Sequence, residues 1–230
     1  MDPVEAFLRE HADEARAERR RRPWNEARPL IAALEAAGID TVDFGVFGRA
    51  SFTTFDFARA VPVLIEWLPR ISDPNVKDAM ARSLTGQRGA RGEGARRLIE
   101  EFRRPEYAED TTLLWAIGNA LATLAGPADA DAIIEMLRDR RYGIARQMLC
   151  DALIRTRDTR RTEILIDLIA DDDVAGHAIS ALRRISRRGF SQPEPVRAQL
   201  EATLSRPSAT EFAQRQARAA LKTLDRPSSG

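Results

Sequence analysis

From Phe57 onward the apolar positions of this chain recur in two alternating patterns. One is an apolar–acidic–apolar run: VLIEWL ending at Leu68, RLIEEF at Phe102, AIIEML at Leu137, ILIDLI at Ile169 and a degenerate QLEATL at Leu204. The other ends in a small residue and leucine, at Ser83-Leu84, Ala120-Leu121, Ala152-Leu153, Ala181-Leu182 and Ala220-Leu221. Counting back from each of these leucines, small or apolar residues stand one, four and eight positions earlier. They are Ser83, Met80 and Val76; Ala120, Ile117 and Leu113; Ala152, Leu149 and Ala145; Ala181, Ala178 and Val174; Ala220, Ala217 and Ala213. At about 100° per residue these positions form one stripe, the buried face of an amphipathic helix. The alanines let neighbouring backbones approach closely. Alternation of the two patterns with a period of roughly 35 residues predicts a stacked solenoid.

Turn residues fall where that reading needs them. Asp73-Pro74, Arg104-Pro105, Asp171-Asp172-Asp173 and Arg206-Pro207-Ser208 separate the halves of units. Gly86 to Gly94, Gly126-Pro127, Thr156 to Thr159 and Gly189 to Pro193 separate one unit from the next. The expectation is a set of antiparallel helix pairs across residues 57–225.

The stretch DPNVKDAMARSL, Asp73 to Leu84, resembles the second helix of a HEAT repeat. It has Asp-Pro in the turn, Val76-Lys77 at the helix start, then Ala79, Ala81 and Leu84. RYGIARQMLCDAL, Arg141 to Leu153, is similar, with Ala145-Arg146 at the Val-basic position. DDDVAGHAISAL, Asp171 to Leu182, is similar with Ala175 there. The second and fifth copies match only in the stripe and the Ala-Leu end. The resemblance implies an all-α, right-handed α-α solenoid of about five HEAT-like helix pairs. It implies little about function, because such repeats serve many unrelated proteins.

Residues 1–56 stand outside the repeat. Pro3 to about Arg21 reads as a charged helix and Trp24 to Ala37 as a second, closed by Gly38. Then VDFGVFGRASFTTFDF, Val42 to Phe57, carries Phe44, Phe47, Phe52, Phe55 and Phe57, more than half of the nine phenylalanines. It reads as a cap over the apolar flank of the first repeat, with an aromatic docking loop as the alternative. Residues 226–230 are expected to fray.

Composition narrows the classes. Apolar content of 43% and charged content of 31% belong to a soluble globular chain, and a net charge of +1 gives no global pull toward nucleic acid or membrane. The single cysteine, Cys150, rules out an internal disulfide. No apolar signal segment opens the chain, and Val61 to Leu68 is too short to span a bilayer. The expected location is the cytoplasm.

Candidate chemistry is sparse. His11, His177 and Cys150 do not make a zinc set, so no metal or cofactor is expected. GQRGARGEG, Gly86 to Gly94, lacks the Gly-Lys-Ser/Thr ending of a phosphate loop and reads as a connection, with anion binding through Arg88 and Arg91 as the alternative. Asp43-Phe44-Gly45 has none of the other kinase elements around it. Arg19 to Arg22 follow Glu10, Asp13, Glu14 and Glu18, a mixed-charge helix end.

What remains is the outward positions two and six before each terminal leucine: Arg82 and Asp78, Asn119 and Trp115, Asp151 and Gln147, Ser180 and Gly176, Ala219 and Arg215. In HEAT-like stacks the second helices usually line the concave surface. A tryptophan at such a position is what a binding surface uses, while a slight helix rotation would bury it instead. The expectation is therefore a non-catalytic scaffold that grips a protein partner through Arg82, Trp115, Asn119, Arg146, Gln147 and Asp151. The rival reading is a HEAT-like alkylpurine DNA glycosylase, with Trp115, Asp151, Arg82 and Arg146 in its cleft. Against it, Asn119 stands where an acid would be expected, and no second tryptophan follows. Oligomeric state is not encoded in any of these signals.

Overall fold

The computed structural model describes residues 27–39, 57–186 and 193–225, and these contain helices and no strand. The expected charged helix at Pro3–Arg21, all of the Phe-rich segment but Phe57, and the tail 226–230 lie outside the described residues. The first described helix, α1, covers residues 27–36. Gly38, at φ 74°, closes it as expected. Gly38 N donates to Glu35 O at 2.8 Å and Ile39 N to Leu34 O at 3.1 Å, the paired bonds that cap a helix through a left-handed residue. Ile39 and Leu34 are both buried, so the cap also closes an apolar contact.

Ten further α-helices are described, and successive ones pack in twos. They are α2 (Phe57–Trp67) with α3 (Pro74–Leu84), α4 (Glu93–Phe102) with α5 (Thr111–Leu124), α6 (Ala130–Arg138) with α7 (Leu149–Thr156), α8 (Arg161–Asp167) with α9 (Ala175–Ile185), and α10 (Pro193–Ser205) with α11 (Glu211–Leu224). Polar caps start the second members: Asp73 accepts the N–H groups of Asn75 and Val76, Asp110 that of Leu113, and Thr210 that of Ala213. Pro74 at the first turn of α3 costs no hydrogen bond there.

The second helices are neighbours in chain order: α3 packs on α5, α5 on α7, α7 on α9 and α9 on α11. The alanine stripe makes this possible. Every stripe residue is buried except Ser83, which is half-buried and donates to Ala79 O at 2.8 Å. Of the terminal leucines, Leu84, Leu121, Leu153 and Leu182 are buried. Leu221 is only half-buried, because α11 is the last described helix and nothing described covers its outer side. One apolar cluster runs from Ala27 in α1 to Ala220 in α11.

The third pair departs from the regular pattern. RYGIARQMLCDAL does not form one α-helix: Arg140–Met148 is a 3-10 stretch with Gly143 at φ 47° and ψ −132° inside it, and α-helix begins only at Leu149. Gly118 on α5 lets this stretch come close, since a Cβ there would lie 3.2 Å from Met148 Cβ.

Candidate functional site

Two cations expected near helix starts prove to be internal ties. Arg146 is 1% exposed. Its guanidinium donates to Leu137 O at 3.0 Å, Gly143 O at 3.0 Å, Asp171 Oδ2 at 2.9 Å and Asp173 Oδ2 at 3.2 Å. All its donor capacity is spent inside the protein, so Arg146 does not belong to a partner-binding surface; a buried cation persists only when paired in this way. Burial alone would push the Asp171 carboxyl up, but the Arg146 bonds and charge outweigh it, with a net shift below the usual carboxylate value. Lys77, also 1% exposed, donates to Leu68 O at 2.7 Å and pairs with buried Glu101. Burial lowers its pKa, with Glu101 pulling the other way.

Gln147 is half-buried, and its carboxamide donates to Asp173 O at 2.9 Å, across to the turn before α9. Gly176 is a second correction to the outward set. It is buried, and a Cβ there would come within 2.4 Å of the Phe212 ring. Glycine stands at this position so that Phe212 of α11 can lie against α9. The exchange of an exposed position for a covered one came from a residue, Phe212, that the repeat pattern does not single out.

The remaining positions form a polar and aromatic band across successive helices. Arg82 of α3 is held by Asp78 through two bonds of 2.7 and 3.0 Å, and its guanidinium stands 5.9 Å from the centre of the Trp115 ring on α5. Such a cation–ring contact is worth ~0.5–1 kcal/mol at an open site. Trp115 is half-buried, between the two alternatives that its spacing left open. Asn119, one turn on, is half-buried and makes no side-chain hydrogen bond among the described residues. On α7, Asp151 is ion-paired with Arg184 of α9 at 2.6 Å. Further along, the His177 and Phe212 rings stand 5.0 Å apart, and Arg215 lies 5.5 Å from Phe212. Burial holds the His177 imidazole below its ordinary pKa, against the pull of Asp151.

Arg184 and Phe212 thus join the band although neither falls on the counted positions. The only sequence signal for either is indirect: a glycine at an outward position implies a bulky neighbour. Cys150 takes no part. It is fully buried, and burial pushes its thiol well above the range in which a thiolate forms near neutrality.

Among the described residues no helix is long and apolar enough to cross a membrane. Scans against protein-family models, curated proteins and solved structures gave no match to the chain, so the reading of this band rests on its own residues.

Proposed function

We propose that the chain is a HEAT-like solenoid of five helix pairs and acts as a binding scaffold, gripping a protein partner along the face of α3, α5, α7 and α9. The observation that carries this reading is Trp115, a large aromatic left half-exposed beside an arginine on the next helix. Partly exposed tryptophan and arginine are the residues that most often dominate protein interfaces. The band around them mixes signs, with Asp78, Arg82, Asp151, Arg184 and Arg215, which suits a polar protein surface better than a polyanion.

Base excision is less well supported. A catalytic carboxylate needs to reach its substrate, and Asp151 is engaged by Arg184. Arg146, cast as a backbone-holding cation, is buried.

The test combines quantitative capture of partners from the source cell with an assay on alkylated DNA. Trp115→Ala and Arg82→Ala are expected to weaken capture of a given partner about thirty-fold, equivalent to ~2 kcal/mol, while circular dichroism shows the helices intact. Excision by the unmodified protein that vanishes in Asp151→Ala would replace the scaffold by the enzyme. Equal capture by all variants removes the site from this face.

A further inference from the structure

Away from that band, at the edge where helix ends meet, the start of α4, the loop after α5 and the end of α7 enclose a cleft of about 410 Å³. Small-molecule sites commonly occupy ~300–1,000 Å³. Four arginines line the cleft, Arg91, Arg96, Arg155 and Arg157, against one acidic residue, Asp129. That carboxylate is already engaged, accepting the Gly126 N–H at 2.8 Å. Arg96 is held by Glu93 at 3.0 Å. The side chains of Arg91, Arg155 and Arg157 make no ion pair or hydrogen bond among the described residues.

Arginine near a helix C-terminus ordinarily needs no explanation beyond the helix dipole, and Arg155 and Arg157 close α7. Two observations go further. Arg155 Nε is buried and meets no acceptor among the described residues, as is also true of Arg183 Nε outside the cleft, so the Arg155 guanidinium is not spent on a protein partner. Arg157 has φ 60°, in the left-handed region, at the position where helices usually place glycine. A conformation that disfavours arginine therefore occurs at a residue that lines the cleft. On the opposite wall, Gly92 precedes α4 and supplies no capping side chain, so the first N–H groups of that helix have no side-chain acceptor from their cap.

We infer that this cleft binds a phosphate monoester. Its dianion matches several unpaired guanidiniums better than a single carboxylate does, and its oxygens fit their planar donor forks. The monoester is carried either by a small metabolite or by a phosphorylated serine; the recognising chemistry is the same.

Calorimetric titration of the full chain at fixed ionic strength, with glycerol 1-phosphate, a phosphoserine peptide and its unphosphorylated form, tests this. At least one phosphate probe is expected to saturate, and binding is expected to weaken at least ten-fold in Arg155→Gln and in Arg157→Gly. The second variant guards against a folding artefact, because glycine suits φ 60° and the thermal midpoint should hold or rise while binding falls. Comparable affinity for the two phosphate probes assigns the site to small phosphorylated molecules; a clear preference for the phosphopeptide assigns it to a modified protein. The inference is overturned if neither phosphate probe saturates in the millimolar range, if the unphosphorylated peptide binds equally, or if Arg157→Gly binds like the unmodified chain.

Discussion

Lys77 and Arg146 perform the same task in two different helix pairs: the side chain of each donates to the carbonyl of a leucine nine residues earlier, Leu68 at 2.7 Å and Leu137 at 3.0 Å. Each also meets a carboxylate on a later segment, Glu101 for Lys77 and Asp171 for Arg146. The leucine carbonyls close the first helix of their pair, where helical partners run out. A single buried cation thus ties the end of one helix, the start of the next and the following pair. Arg206 does comparable work from the other direction, donating to Ile169 O and Ala170 O at 3.1 Å.

Removing one partner of the Lys77–Glu101 pair should therefore cost far more than removing both. Lys77→Met is expected to lose about 3 kcal/mol, at the low end of the ~3–5 kcal/mol for a broken buried pair, because Arg104 still holds Glu101 at 3.1 Å. Glu101→Leu leaves Lys77 with a lowered pKa driven further down. Its folded pKa then lies below the unfolded value, so the unfolded chain binds more protons and stability should climb as pH rises toward about 10.5. The double variant should be closer to wild type than the sum of the two. Urea unfolding of the four proteins reads the cycle, and additive losses would show that the pair is not coupled.

Leu153 and Leu221 occupy the same place in the repeat but not in the core. Leu153→Ala should cost ~2–5 kcal/mol, since the residue is fully buried and its removal opens a cavity between pairs. Leu221 is half-buried at the last described helix, so Leu221→Ala should cost clearly less. Equal losses in thermal or urea unfolding would mean that α11 is covered by something outside the described residues.

Helical class, the pairing of halves and nearly all of the buried stripe were legible in the sequence, because a stripe of small residues on one helix face has a single stable use. The polar and aromatic band was legible only in part. Arg82 is exposed as its spacing predicts, while Trp115 and Asp151, expected to point outward, are half-buried. Arg146 misled because a basic residue at a helix start looks solvated until the acids of the DDD turn, Asp171 and Asp173, are brought to it from the next pair. Helix boundaries in the third pair also escaped the pattern: the stripe counts positions, and does not register that Gly143 at φ 47° breaks the turn before Ala145. The arginine cleft was hidden because its cations come from two places far apart in the chain, Arg91 and Arg96 around the start of α4 and Arg155 and Arg157 at the end of α7.

Gly176→Ala offers a test of the α9–α11 contact in which two effects oppose each other. Alanine is favoured over glycine within a helix by about 1 kcal/mol. Against that, the new Cβ would lie 2.4 Å from the Phe212 ring and 3.2 Å from Ala213 Cα. Phe212 can swing away, but the Ala213 backbone cannot yield without moving α11. Overpacking of this kind costs ~1–3 kcal/mol, so the variant should be less stable despite its better helix propensity. A gain in the thermal midpoint would show that α11 shifts freely on α9.

His177 gives the protein an acid-side stability loss whose sign follows from its environment. The imidazole on α9 is half-buried, with the Phe212 ring of α11 at 5.0 Å. The charge facing it is Asp151 of α7, which favours the protonated form but is itself engaged by Arg184 at 2.6 Å. Burial wins, and the folded-state pKa lies below the ordinary value of about 6.5. Between the two values the unfolded chain holds the proton and the folded chain does not. Stability is therefore complete above about pH 6.5 and falls as pH drops through that value. Unfolding midpoints compared at pH 7.5 and 5.5 should show a larger drop for the unmodified protein than for His177→Gln, since every other titrating group is common to both. Asp151→Asn should enlarge the drop by removing the one charge that offsets burial. Parallel pH dependence of the unmodified protein and His177→Gln would mean that the imidazole is hydrated in the folded state and that Phe212 does not shield it.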